Sequence, residues 1–118
     1  MVQNISHLRK LMKFVENENE IIDFDDLINT ILKTIIEKGK GIEINTAGLK
    51  YGMPEPNPCL DIVKMYHDLG GEIITVGSDA HEVKFFAYRF DVVADMLKNA
   101  GFNYYTIFNE RKPEFIRL

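Results

Sequence analysis

The strongest periodicity in the chain is a stripe of Leu27, Ile28, Ile31, Leu32, Ile35 and Ile36, whose spacings of one, three and four put them on one side of a helix. Asp23, Asp25 and Asp26 lie at its start, where carboxylates suit the positive end of the helix dipole. Lys38 sits in the last turn and Gly39 follows as the C′ residue. Residues 41–45 (GIEIN) are too few for a helix and read as a strand. Residues 46–57 read as loop, because Gly48, Gly52 and Pro54 interrupt any pattern before Pro56 and Pro58. Asn57 followed by Pro58 reads as an N-cap with proline in the first helical position. The next helical stripe is Leu60, Val63, Tyr66 and Leu69, closed by Gly70 and Gly71. Residues 72–76 (EIITV) have the β-branched composition of a strand buried on both faces, and Gly77 ends it. A further helix over roughly 87–99 carries Phe90, Val93, Met96 and Leu97 and stops at Gly101. Residues 103–108 (NYYTIF) read as the last strand, and the tail 110–118 as a segment that docks on the body through Phe115, Ile116 and Leu118. Residues 2–5 have the composition of one more strand end, and the polar run 16–20 that of a solvated loop.

Helices and strands alternating at this spacing imply right-handed crossovers and a parallel sheet, an α/β class. With 118 residues and no repeat, low-complexity tract or linker, residues 1–118 form a single domain. Four strands with three helices are few for a closed sheet, so the chain reads as a slice of something larger. The apolar runs are far shorter than the roughly 20 residues a membrane-spanning helix needs. No apolar segment of the secretory kind follows Met1. Fourteen basic against 18 acidic residues leave a net charge of −4, which does not favour a nucleic-acid surface. Cys59 is the single cysteine and has no partner for an internal disulfide, which fits a reducing cytoplasm.

Candidate chemistry gathers at or just past the carboxyl ends of the expected strands, where open α/β sheets and (β/α) barrels place their sites. Asp79 and His81 follow EIITV two residues apart, and in extended chain they point to one side. They read either as a pair of ligands for Zn²⁺, Mn²⁺ or Fe²⁺, or as a capping carboxylate with a surface histidine. His7, after residues 2–5, reads as a helix-start residue or a further ligand. In the strand 41–45, Ile42 and Ile44 would pack on helices while Glu43 and Asn45 face the other way, into a salt bridge or an active-site wall. Lys13, Lys50 and Arg89 flank these segments and could meet an anion. Tyr104 and Tyr105 read as packing residues, Cys59 as a small buried residue, and His67 as a surface or packing histidine.

Taken together, the segments EINTAGLK (43–50), PNP (56–58) and GSDAH (77–81), with GF (101–102) and FNERKP (108–113), resemble the C-terminal portion of the PHP (polymerase and histidinol phosphatase) family, in its histidinol-phosphatase branch. The resemblance implies a partial (β/α) barrel, about the last four strands of a distorted seven-stranded barrel, with two or three divalent metals at its carboxyl mouth. It implies hydrolysis of a phosphomonoester, L-histidinol phosphate, in histidine biosynthesis. Asp79 and His81 match the family's final Asp-x-His ligand pair, and His7 matches a ligand histidine of an earlier strand. Around His7 this chain has Ser6 and Arg9 where the family carries glycine and aspartate. Lys13 and Lys50 fall where the family carries basic residues toward the substrate phosphate, commonly arginine. The family's opening His-x-His motif has no counterpart, since the histidines are His7, His67 and His81. The resemblance therefore implies a chain that is inactive alone, completed by a missing N-terminal half and prone to self-association, with neither nucleic acid nor membrane as partner. The alternatives are a non-catalytic half-barrel interaction module, or a PHP phosphoesterase with another substrate.

Overall fold

A computed structural model describes residues 23–78 and 89–118. Helix α1 spans Phe24–Glu37 and begins at the N-cap Asp23, whose carboxylate accepts from the Asp25 N–H at 2.9 Å. Its apolar stripe sinks Ile28, Leu32 and Ile35 into the core. The helix ends at Lys38, and Gly39 follows with φ +67°, the left-handed conformation expected of a C′ glycine.

Strand β1 (Ile42–Asn45) pairs in parallel with β2 (Ile74–Gly77), in the register Ile42–Ile74, Glu43–Thr75, Ile44–Val76 and Asn45–Gly77. One face carries Ile42, Ile44 and Ile74, all fully buried against helix residues such as Leu32, Val63 and Leu97. The opposite face carries Glu43, Asn45, Thr75 and Gly77, all half-buried. The expected split of the strand into isoleucines on helices and polar residues facing away is therefore observed.

Helix α2 (Leu60–Asp68) crosses from β1 to β2, and α3 (Phe90–Ala100) leads to β3 (Tyr104–Asn109). The N-cap of α2 is Cys59 rather than Asn57. Asn57 is engaged elsewhere: its N–H and C=O form a two-way bridge with Asn45, at 3.0 and 2.7 Å. The orphan N–H of Leu60 is met instead by the Glu55 carboxylate at 3.2 Å. Within the expected loop, Ala47–Tyr51 form a 3-10 helix closed by Gly52 at φ +83°.

The tail does more than dock. Lys112–Arg117 form β4, which turns back on β3 as an antiparallel hairpin from Asn109–Lys112 to Tyr104–Arg117. Strand β3 lies beside β2 without a backbone ladder between them; the Thr106 hydroxyl accepts from the Ile74 N–H at 3.2 Å in its place. The described strands thus form a parallel pair and an antiparallel pair. The expected strand at residues 2–5 and the polar run 16–20 lie outside the described residues.

Candidate active-site mouth

The carboxyl ends of β1 and β2 are tied together by one side chain and its own backbone. Thr46, fully buried, places its N–H on the Gly77 carbonyl at 2.9 Å and its hydroxyl on the same oxygen at 3.5 Å. Asn45 fixes the next turn: its Oδ1 accepts from the Ala47 N–H at 2.8 Å. The 3-10 helix that follows carries Lys50, whose Nζ stands 5.8 Å from the centre of the exposed Tyr51 ring. A cation over a ring face gains a modest attraction from the negative face of the ring.

The Glu43 side chain reaches along the strand: its Oε1 occupies the space a Cβ at Gly77 would take, two register pairs closer to the carboxyl end than its own partner Thr75. Gly77 has no positive φ, so its lack of a side chain provides room for that carboxylate, not backbone freedom. Sequence reasoning names Glu43, Asn45 and Lys50 as candidates and misses what Thr46 and Gly77 do. Thr46 carried no signal beyond its place after a strand, and Gly77 read as a strand terminator.

Ser78, buried at the end of β2, is bonded directly to Asp79. Asp79, His81, His7 and Lys13 themselves lie outside the described residues. Among the described residues, no group of three or more His, Cys, Asp or Glu side chains is placed to hold a metal ion.

His67 sits away from the mouth, beside the turn that precedes β3. Its ring meets Phe102 edge-on at 4.9 Å between centroids, and its Nδ1 is 3.3 Å from Asp68. It is the packing histidine the sequence suggests. With Glu72, Tyr104 and Phe115 it borders an open cleft of about 490 Å³ at the amino ends of β2 and β3. This cleft and the candidate residues of the mouth therefore lie at opposite ends of the strands.

No family model matches the chain. A probable histidinol-phosphatase of Thermotoga maritima is 46% identical over 83 residues, which cover 70% of this chain and 35% of that protein. This degree of identity over so long a stretch is decisive for kinship. The chain is homologous to part of a probable histidinol-phosphatase. A probable histidinol-phosphatase of Clostridium acetobutylicum aligns over 98 residues at 29% identity, 83% of this chain and 38% of that relative. The chain thus spans little more than a third of the length of the curated homologues it matches. Among the described residues, no helix is long and apolar enough to cross a membrane.

Proposed function

We propose that the chain supplies one side of the active site of a metal-dependent phosphomonoesterase of the PHP type, acting on L-histidinol phosphate in the cytoplasm. The observation that carries this reading is the 46% identity to a probable histidinol-phosphatase. The parallel β1–β2 pair, with its isoleucines under helices and its polar residues on the other face, is what one sector of a (β/α) barrel requires. In this reading Glu43 and Asn45 line the barrel interior, and Lys50, with Lys13, faces the substrate phosphate.

Asp79, His81 and His7 are the proposed metal ligands. One carboxylate and two imidazoles are a donor set that suits Zn²⁺, Mn²⁺ or Fe²⁺. A divalent ion so bound lowers the pKa of water and neutralises charge on the phosphoryl group. Three ligands do not build a site with two or three metals, so the rest come from polypeptide beyond these 118 residues. The chain's own part is to hold Lys50 on a turn fixed by Asn45, and to keep the two strand ends in register through Thr46. A lysine there supplies charge to the phosphate without the bidentate fork of an arginine.

A purified chain is expected to bind Zn²⁺ or Mn²⁺ weakly by calorimetry, and Asp79→Ala or His81→Ala to abolish that binding. Phosphate release from L-histidinol phosphate is expected only after the remaining portion, taken from the Thermotoga relative, is supplied. Unchanged metal binding in both variants overturns the ligand assignment, and brisk turnover by the chain alone overturns the shared site. A non-catalytic interaction module is the second reading. Its support is the exposed apolar hairpin face of Tyr104, Phe108 and Phe115, which fits self-association or a covering partner. It predicts no turnover under any complementation.

A further inference from the structure

We infer that the cleft between the turn of the β3–β4 hairpin and the amino end of β1 is a second ligand site, one that takes an aromatic carboxylate. It lies at the other end of β1 from Asn45 and Thr46, so it stands or falls apart from the phosphomonoesterase reading. Its volume is about 500 Å³, within the range of clefts that hold small molecules. Phe108 and Pro113 are register partners in the hairpin, so their side chains stand together on one face. With Ile73 they give the cleft an apolar wall, and Phe108 is 46% exposed, open to a ligand.

Lys40 and Arg111 supply the charge of the lining, and neither side chain has an ion-pair partner among the described residues. No carboxylate among the described residues borders the cleft. Two cations beside an apolar wall select an anion with an apolar body. The donors select which anion. A carboxylate has two oxygens in one plane, which a guanidinium fork and one ammonium satisfy. A phosphate brings a third oxygen, and the neighbouring N–H groups of Gly39 and Lys40 are already spent on the Ile36 and Ile35 carbonyls. A flat ring packs on the Phe108 ring and loses no rotamer freedom in doing so. Arg111 carries a second mark of use. Its φ is +66°, a conformation unfavourable to any residue with a Cβ and usually given to glycine in such turns. Strain of this kind persists where the strained residue is used, and here that residue brings the guanidinium to the cleft.

The test is titration of the full 118-residue chain, isotope-labelled and free of divalent metal, with benzoate, benzamide and acetate, followed by amide NMR shifts. Benzoate is expected to bind with a dissociation constant of about 1 mM, and benzamide and acetate at least about tenfold more weakly, since one lacks the charge and the other the ring. The shifts should gather at residues 39–41, 73 and 108–113. Arg111→Gln and Arg111→Gly should each lose about tenfold in benzoate affinity. Arg111→Lys, which keeps the charge without the fork, should lose less. Arg111→Gly also relieves the left-handed turn, so lost binding with an unchanged or higher Tm separates recognition from folding. Full benzoate affinity in Arg111→Gly, equal binding of benzamide or acetate, or no binding at tens of millimolar overturns the inference. So do shifts centred on residues 45–50, which would put the carboxylate beside Lys50 at the mouth instead.

Discussion

The Tyr66 hydroxyl donates to the Ile73 carbonyl at 2.7 Å, and the same carbonyl accepts from the Ile42 N–H at 3.1 Å. One oxygen thereby joins the last turn of α2 to the entries of both parallel strands. The ring is fully buried, and Gly71 is a glycine because a Cβ there would overlap it. Burial away from water pushes the phenol up to about 12, with the nearby Glu72 charge adding to the effect.

A raised phenol ties stability to alkaline pH. The unfolded chain loses this proton near pH 10 and the folded chain near 12, so the contribution is complete below pH 10 and lost between 10 and 12. Urea unfolding at pH 9, 10 and 11 should therefore show a decline that Tyr66→Phe lacks. At neutral pH the same variant should be only about 1 kcal/mol less stable, since Ile73 keeps its bond from Ile42. An identical alkaline decline in wild type and variant would refute the assignment.

Two buried threonines at strand ends should respond differently to Thr→Val. Thr46→Val removes a long 3.5 Å bond whose acceptor, Gly77, retains the Thr46 N–H, so the cost should stay under about 1 kcal/mol. Thr106→Val removes the acceptor of the Ile74 N–H and strands a buried donor, at a cost of about 2–3 kcal/mol. Chemical denaturation of both variants gives the comparison, and equal costs would mean that β2 and β3 are joined by something other than this hydroxyl.

What the sequence discloses here depends on whether a feature is periodic or pairwise. The α1 stripe, its acidic start and Gly39 are local signals, and each sits in the structure where the spacing puts it. The inward isoleucines of β1 follow from the alternation of GIEIN alone. Asn57 reads as an N-cap from sequence because its competitor for that role, the bridge to Asn45, is a contact between distant residues. The seat of Glu43 above Gly77 is likewise invisible until two strands are in register. The terminal hairpin stayed hidden for a different reason. Its turn is made by Glu110 and Arg111, both in the left-handed region at φ 50° and 66°, where the usual signal is Asn-Gly or Asp-Gly.

That turn makes a stability prediction. Side chains with a Cβ cost roughly 1 kcal/mol each in the left-handed conformation, and a two-residue hairpin connection with both central φ positive favours Asn then Gly. The double variant Glu110→Asn, Arg111→Gly should raise the stability of the chain by about 1–2 kcal/mol in urea titrations. An unchanged or lower midpoint would show that Glu110 and Arg111 make compensating contacts in the hairpin.

Gly41 and Gly77 should separate a glycine packed on backbone from one packed on the far end of a side chain. At Gly41 a Cβ would run into the Ile73 backbone carbonyl and its side chain, neither of which can move without disturbing the β1–β2 pairing. Gly41→Ala should cost about 2–3 kcal/mol, the range of overpacked core positions. At Gly77 the obstacle is the far end of the Glu43 side chain, which can swing aside, so Gly77→Ala should cost under about 1 kcal/mol. Chemical denaturation of both variants gives the comparison, and equal costs would show that the Glu43 side chain holds its place above Gly77 as firmly as the Ile73 backbone holds its place beside Gly41.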